Sequence, residues 1–252
     1  MTTLAATTTP TGRVLALAAA ETRLVLRNRT LLVSSLILPI GLGAFWMLTF
    51  QGQSSAAVLA LQIAVAVGMG LYVAATQTLV ARRQQKVLKR MRTSGLSDGG
   101  LLVAVVAPSA VVAFGQIVIF AVLDAVAGIP FAVDPFALVL AVLGGLALAT
   151  AAAIATAVVT PSAERAQITT LPLTFLLLGG AIVATFLPQE GWWLAVLAVP
   201  GAGIGALARF AAEGGMWANG ILTGLLPLAA TVVWAIWLAT FASKRFRWDP
   251  RR

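Results

Sequence analysis

Residues 81–98 read ARRQQKVLKRMRTSGLSD and form the only long polar segment in a chain that is otherwise almost continuously apolar. On a helix, at about 100° per residue, one broad arc of this basic segment carries Arg82, Arg83, Lys86, Lys89, Arg90 and Arg92. The opposite arc carries Val80, Val87, Leu88 and Met91. The pattern predicts a short amphipathic helix that Gly95 ends, with Ser97 or Asp98 capping the next helix. It fits either a solvated loop that only fixes topology or a surface on which another protein docks.

The composition of the chain is that of an integral membrane protein. Of its 252 residues, 60% are hydrophobic and 10% are charged, whereas soluble domains carry about 25% charged residues. Apolar runs of about 18 residues or more recur along the whole length, which indicates transmembrane helices. The sequence contains no cysteine and no histidine, so disulfides, thiol chemistry and the commonest general base are excluded. The net charge is +9. The placement of the basic residues is explained by membrane topology and does not indicate a nucleic-acid partner.

Hydropathy divides the chain into six predicted spans and three flanking segments. We expect a disordered tail at 1–12, an amphipathic interfacial helix at 13–29, a transmembrane domain at 30–241 and a basic cytoplasmic tail at 242–252. The six spans cover residues 30–50, 56–80, 100–127, 136–160, 168–187 and 217–241. Proline and glycine residues break the stretch 188–215 into two short apolar runs. This stretch fits a re-entrant hairpin or one additional kinked span.

The basic residues lie almost entirely on one side of this arrangement. Four precede the first span, six lie in the basic segment, one is Arg165 and five lie in the tail, so that only Arg209 of the seventeen falls on the other side. Cytoplasmic loops of membrane proteins carry such an excess of Arg and Lys. We therefore expect a multi-pass plasma (inner) membrane protein with both termini and the basic segment in the cytoplasm. An additional span within 188–215 would move the five tail charges outside, which this pattern disfavours.

Signatures of catalysis and nucleotide binding are missing from the sequence. It contains no GxxxxGK[ST] phosphate loop, no HExxH and no pair of carboxylates within one span. We therefore expect no enzymatic activity, no metal site and no bound cofactor in this chain. Most polar residues within the spans are expected to pack helices together, while a possible substrate path is assigned to Gln62, Gln77, Gln116 and Asp124. Asp124 is the one acidic residue that can lie at membrane depth, either as a boundary residue or as a functional group.

Two stretches resemble a known family of transport proteins. RRQQKVLKRMRTSGLS at 82–97 is similar to a family loop with a Leu-Lys-Arg-Leu/Met-Arg core followed by Thr-Ser/Pro-Leu-Ser. The positions that fit are Leu88, Lys89, Arg90, Met91, Arg92, Thr93, Leu96 and Ser97. The family often has Glu before this core, where this chain has Gln84 and Gln85. ETRLVLRNRTLLVSSLILPI at 21–40 resembles the family's connecting helix, and the order of elements resembles the membrane subunits of type-2 ATP-binding-cassette (ABC) exporters.

The resemblance implies an all-α permease with six transmembrane helices, an N-terminal connecting helix, a cytoplasmic coupling helix and a broken extracellular re-entrant hairpin before the last span. The coupling helix would lie at 82–97, against a separate ABC ATPase that holds ATP and Mg²⁺. The residues implied in this interface are Arg82, Arg83, Lys86, Leu88, Lys89, Arg90, Met91, Arg92, Thr93, Leu96 and Ser97.

The resemblance also implies partners and a cargo. A second permease copy would complete a homodimer within the membrane lipid, and the pair would move a hydrophobic or amphipathic drug, antibiotic or lipid-like molecule out of the cell. The alternatives are an ATPase-independent secondary carrier or channel, and an intramembrane enzyme or scaffold. The lack of histidine, cysteine and paired acids disfavours the enzyme.

Overall fold

The computed structural model describes residues 9–50, 52, 54–91, 96–129, 134–188, 191–217 and 220–245, without the side chains at 10, 30–32, 34 and 89. These residues form helices and turns. The helices are α1 (Pro10–Arg27), α2 (Arg29–Phe50), α3 (Ser55–Val65), a π-helical segment (Ala66–Val73), α4 (Ala74–Gln84), α5 (Val87–Met91), α6 (Asp98–Val126), α7 (Pro135–Val159), α8 (Ala163–Thr169), α9 (Leu171–Phe186), α10 (Trp193–Val196), α11 (Ala202–Glu213) and α12 (Ile221–Arg245). The described part of the chain is therefore all-α, as predicted.

Among the described residues, five helical stretches are long and apolar enough to cross a membrane. They are Ser55–Gln84, Asp98–Val126, Pro135–Val159, Ala163–Phe186 and Ile221–Arg245. Each overlaps a predicted span, because a helix needs about 20 apolar residues to cross the hydrocarbon core. The first predicted span coincides with α2, but its described apolar part, Ser35–Phe50, is shorter than the other five. A helical membrane protein is thus confirmed, whereas the six-span layout stays a prediction.

Local capping chemistry sets where several helices begin. Ser97 Oγ accepts a hydrogen bond from the backbone N of Gly100 at 3.2 Å, so one of the two predicted caps begins α6. Asp134 begins α7 in the same way by accepting from the backbone N of Phe136 at 3.0 Å. The predicted helix stop at Gly95 lies outside the described residues.

The terminal segments differ from the prediction at two boundaries. α1 begins at Pro10, within the predicted disordered tail 1–12, because Thr9 Oγ1 accepts a hydrogen bond from Gly12 N at 3.2 Å and proline suits the first helical turn. At the other end, α12 continues to Arg245, within the predicted tail 242–252. Residues 1–8 and 246–252 of the predicted tails lie outside the described residues.

The core of the molecule surrounds one long helix. α3, the π-helical segment and α4 run without interruption from Ser55 to Gln84, and 89% of the most apolar stretch of this central helix is buried, against 22% for α12. The central helix contacts α2, α6, α7, α9 and α11. Near its middle, the hydroxyl of Tyr72 lies 3.1 Å from Thr156 Oγ1 on α7. Polar groups at membrane depth must find partners within the protein, and contacts of this kind also join the helices.

The segment between α9 and α12 is a helical hairpin packed against the backbone of its neighbours. α10 has four residues and α11 has twelve, and the turn between them contains Gly201 with φ of +89°. A Cβ at Gly205 would lie 2.1 Å from the carbonyl O of Ala181 on α9, and one at Gly203 would lie 2.3 Å from that of Pro227 on α12. Glycine therefore lets α11 approach both neighbours closely. These short helices favour the predicted hairpin over an additional kinked span, while its position on the outer side stays a prediction.

Arg209 joins the hairpin to the end of α9. Its Nη1 donates to the carbonyl O of Leu187 at 2.8 Å, and its Nε donates to Glu213 Oε2 at 2.9 Å. The carbonyl groups at a helix C-terminus have no partner within the helix. The one cation that the charge count puts on the outer side thus has a structural role within the chain.

Replacing Gly205 by alanine is expected to destabilise the protein by about 1–3 kcal/mol, because the added methyl group overlaps the backbone of α9. Gly179→Ala is the matched control, since a Cβ at that position of α9 meets no atom within 4 Å. Thermal unfolding of the purified full chain in detergent measures both variants. Equal melting temperatures for the two would contradict the described approach of α11 to α9.

Candidate functional site

A tight turn divides the basic segment. α4 ends at Gln84, Lys86 adopts a left-handed backbone conformation with φ of +58°, and α5 begins at Val87. The backbone N of Lys86 donates to the carbonyl O of Arg83 at 3.0 Å. The prediction of a single amphipathic helix is wrong at this point, because a left-handed residue ends a right-handed helix.

Arg82 faces another part of the chain rather than solvent. Its Nη1 and Nη2 donate to the two carboxylate oxygens of Glu21 on α1, each at 2.7 Å. These hydrogen bonds hold the pKa of Glu21 below its ordinary value of 4.5, although burial opposes the shift. The sequence reasoning missed this pair, although Glu21 is the one acidic residue in the predicted interfacial helix 13–29.

The next two residues contact the corner between α7 and α8. Arg83 is 2% exposed and donates from Nη1 to the carbonyl O of Ala157 at 2.7 Å and from Nη2 to that of Thr160. Gln84 Oε1 accepts a hydrogen bond from the backbone N of Ala163, the first residue of α8, at 3.1 Å. No sequence pattern indicates backbone partners of this kind, so the helical projection placed Arg83 on an outward basic face.

The other predicted coupling residues have different surroundings. Lys86, Arg90 and Ser97 are exposed, Leu96 and Met91 are partly buried, and Leu88 is fully buried. Arg92, Thr93 and the side chain of Lys89 lie outside the described residues. The described basic segment therefore combines an exposed polar surface at α5 with an inward-facing end of α4. Its contact with an ATPase stays a prediction.

Two of the residues assigned to a substrate path bind each other. Gln62 Nε2 on α3 donates to Asp124 Oδ1 on α6 at 2.8 Å, and the two side chains are 1% and 2% exposed. A buried carboxylate without a partner would be costly in these apolar surroundings. The pair therefore joins two helices, as expected for polar residues that pack spans together.

The other two, Gln77 and Gln116, lie beside a pair of cavities. The larger, of about 270 Å³, lies between α2 and the central helix and is lined in part by Gln77, while the smaller, of about 70 Å³, extends toward α1 and α6. Ser35, Gly70 and Ala74 line both. Gln116 is fully buried and donates from Nε2 to the carbonyl O of Ser35 at 3.2 Å. Largely apolar walls with a few polar groups are typical of sites for small hydrophobic molecules.

The described residues thus form a helical membrane protein in which the end of α4 is hydrogen-bonded to α1, to the end of α7 and to the start of α8. The family model for the ABC-2 family transporter protein matches residues 31–241. The chain belongs to this family, and it is a permease subunit of an ABC-2 type transporter. No curated protein and no solved structure matches the chain. The match confirms the family resemblance seen in the sequence, and family membership implies a partner ABC subunit.

Replacing Lys86 by glycine is expected to raise the melting temperature, because the left-handed conformation costs a residue with a Cβ roughly 1–2 kcal/mol. Lys86→Ala is the matched control, since it removes the same charged side chain but keeps the Cβ. Thermal unfolding of the full chain in detergent measures both. A glycine variant no more stable than the alanine variant would disagree with the described turn.

The ion pair between Glu21 and Arg82 is expected to make stability depend on pH in the acid range. Because the pKa of Glu21 is lowered in the folded state, the contribution is complete above the ordinary value of 4.5 and is lost as the pH falls through the folded value. The melting temperature of the wild type should therefore fall more steeply on acidification than that of Glu21→Gln. Parallel curves for the two proteins would speak against a stabilising pair.

Proposed function

We propose that this chain is the membrane subunit of an ATP-driven exporter. It moves a hydrophobic or amphipathic molecule, such as a drug, an antibiotic or a lipid-like compound, out of the cell. A separate ABC ATPase binds ATP and Mg²⁺ and supplies the energy through the basic segment. Two copies of the chain form the permease in the plasma membrane, with both termini in the cytoplasm.

The observation that carries this proposal is the direct connection between the basic segment and the centre of the molecule. The central helix ends at Gln84, and α5 follows after one tight turn with the side chain of Leu88 fully buried. A displacement of α5 therefore reaches the core without passing through a long loop. The exposed cations Lys86 and Arg90 on this segment suit a partner surface that carries acidic groups.

The walls of the larger cavity support the proposed class of substrate. Leu38, Met69 and Val73 supply apolar surface, while Ser35 and Gln77 supply polar groups. Such a lining suits a molecule with an apolar body and few hydrogen-bonding groups. Export rather than import follows from the resemblance of residues 82–97 to the loops of exporters.

Replacing Lys89, Arg90 and Arg92 together by Glu is expected to uncouple ATP hydrolysis from transport while membrane insertion is retained. The reversed charges would repel a partner surface that attracts the native cations. The measurement is ATP hydrolysis and uptake of a lipophilic fluorescent dye by inside-out vesicles containing the chain and its ATPase subunit. Coupled dye uptake at the wild-type level would count against docking at this segment.

Lys244→Glu serves as the control for this variant, because it reverses another exposed cation, at the end of α12. Purification of the tagged chain from its native membranes, followed by mass spectrometry, tests for the ABC ATPase itself. If the purified chain holds no such subunit and moves the dye in liposomes without nucleotide, a secondary carrier is the correct class.

A further inference from the structure

We infer that the last three residues of α4 are positioning residues that connect the basic segment to three other elements of the permease, rather than residues that contact the ATPase. We call Arg82, Arg83 and Gln84 the α4 anchor. Arg82 connects to α1, Arg83 to the end of α7 and Gln84 to the start of α8. The inference rests on the proposed function, because it concerns how work done by an ATPase reaches the membrane-embedded helices.

The contact of Arg82 with α1 is fixed in both distance and direction. Two parallel hydrogen bonds of 2.7 Å join it to Glu21, and the two side chains are 24% and 11% exposed. A forked pair of this kind restricts the relative orientation of the two helices more than a single hydrogen bond does. α1 in turn packs along α6, where a Cβ at Gly100 would lie 2.8 Å from Val14 Cγ2. A shift at the end of α4 is therefore transferred to α1 and to α6.

The contacts of Arg83 make it a poor candidate for an ATPase contact. The carbonyl groups of Ala157 and Thr160, at the end of α7, both accept hydrogen bonds from its guanidinium group. The last carbonyl groups of a helix depend on partners outside the helix. Withdrawing this buried side chain toward another protein would leave acceptors unpaired in the interior, which is unfavourable.

Gln84 extends the connection toward the hairpin. It accepts from the backbone N of Ala163 at 3.1 Å, and α8 passes into α9 across the single residue Thr170. α9 then meets α11 in the close backbone contact between Ala181 and Gly205. The α4 anchor is thus linked through α8 and α9 to the hairpin.

The absence of native cysteine allows this connection to be tested with two introduced spin labels. The labels are attached at Gln167→Cys on α8 and Trp192→Cys beside α10, because both positions are exposed. Double electron–electron resonance reports the distance between the two labels. The labelled full chain is mixed with an excess of unlabelled chain, so that a permease carries at most one labelled copy, and is measured in nanodiscs with its ATPase subunit, with and without Mg·ATP and vanadate. Arg83→Met and Gln84→Ala are compared with Arg83→Lys and Gln84→Glu, which keep a donor and an acceptor at these positions.

We expect Arg83→Met and Gln84→Ala to retain the ATPase at the wild-type ratio but to lose more than half of the nucleotide-dependent distance change. Arg83→Lys and Gln84→Glu should recover part of the change. Arg82→Glu should lose it as well, and the added substitution Glu21→Arg should restore it by rebuilding the pair with exchanged charges. A purely structural role would not produce this recovery in the distance response.

Loss of the ATPase from the variant complexes would identify the α4 anchor as part of the ATPase contact and overturn the inference. An unchanged distance response in the variants, or no response in the wild-type complex, would also overturn it. If Arg83→Met does not fold, Gln84→Ala decides the question, because Gln84 is exposed and its loss leaves the core unchanged. A wild-type chain that holds no ATPase at all contradicts the proposed function, and this result is distinct from the others.

Discussion

The buried guanidinium group of Arg83 is the interaction on which the arrangement of the helices depends. Removing a charge from water is unfavourable by several kcal/mol unless fixed partners replace the solvent. Here the end of α7 offers backbone carbonyl groups that themselves need donors, and the two terminal guanidinium nitrogens of Arg83 donate to them. Because Arg83 belongs to the central helix and its acceptors belong to α7, this mutual requirement fixes the relative position of the two helices at their polar ends.

Elsewhere in the core, other polar side chains also join the central helix to its neighbours. Tyr72 meets Thr156 between the central helix and α7, and Gln62 meets Asp124 between the central helix and α6. Helices surrounded by lipid gain little from the hydrophobic effect on packing together, so close contact and hydrogen bonds between them carry more of the specificity. The central helix makes both kinds of contact, which accounts for its position inside the other helices.

Five of the six predicted spans overlap described helices that are long and apolar enough to cross a membrane, because hydropathy over about 20 residues indicates such helices. Residues 100–127 and 136–160 were expected to be helical, and the structure has Asp98–Val126 and Pro135–Val159. The structure of the basic segment was harder to predict, because a helical projection assumes one uninterrupted helix and assigns its cations to solvent. The left-handed Lys86 breaks that helix, and the partners of Arg83 are backbone atoms that no residue pattern reveals. Of these contacts, the pairing of Arg82 with Glu21 is the one that the sequence indicates, because Glu21 is the single acidic residue of the predicted interfacial helix 13–29.

The glycine-lined contacts of α11 have a mechanical consequence. Helices normally interlock because the side chains of one fill the grooves of the other, so that sliding requires repacking. At Gly203 and Gly205 the hairpin instead touches its neighbours with bare backbone, on α12 and α9 respectively. At these two positions no side chain of α11 interlocks with its neighbours. Resistance to sliding along the helix axis comes instead from hydrogen bonds, such as those from Thr185 Oγ1 to the carbonyl O of Gly205 and from Arg209 to the carbonyl O of Leu187.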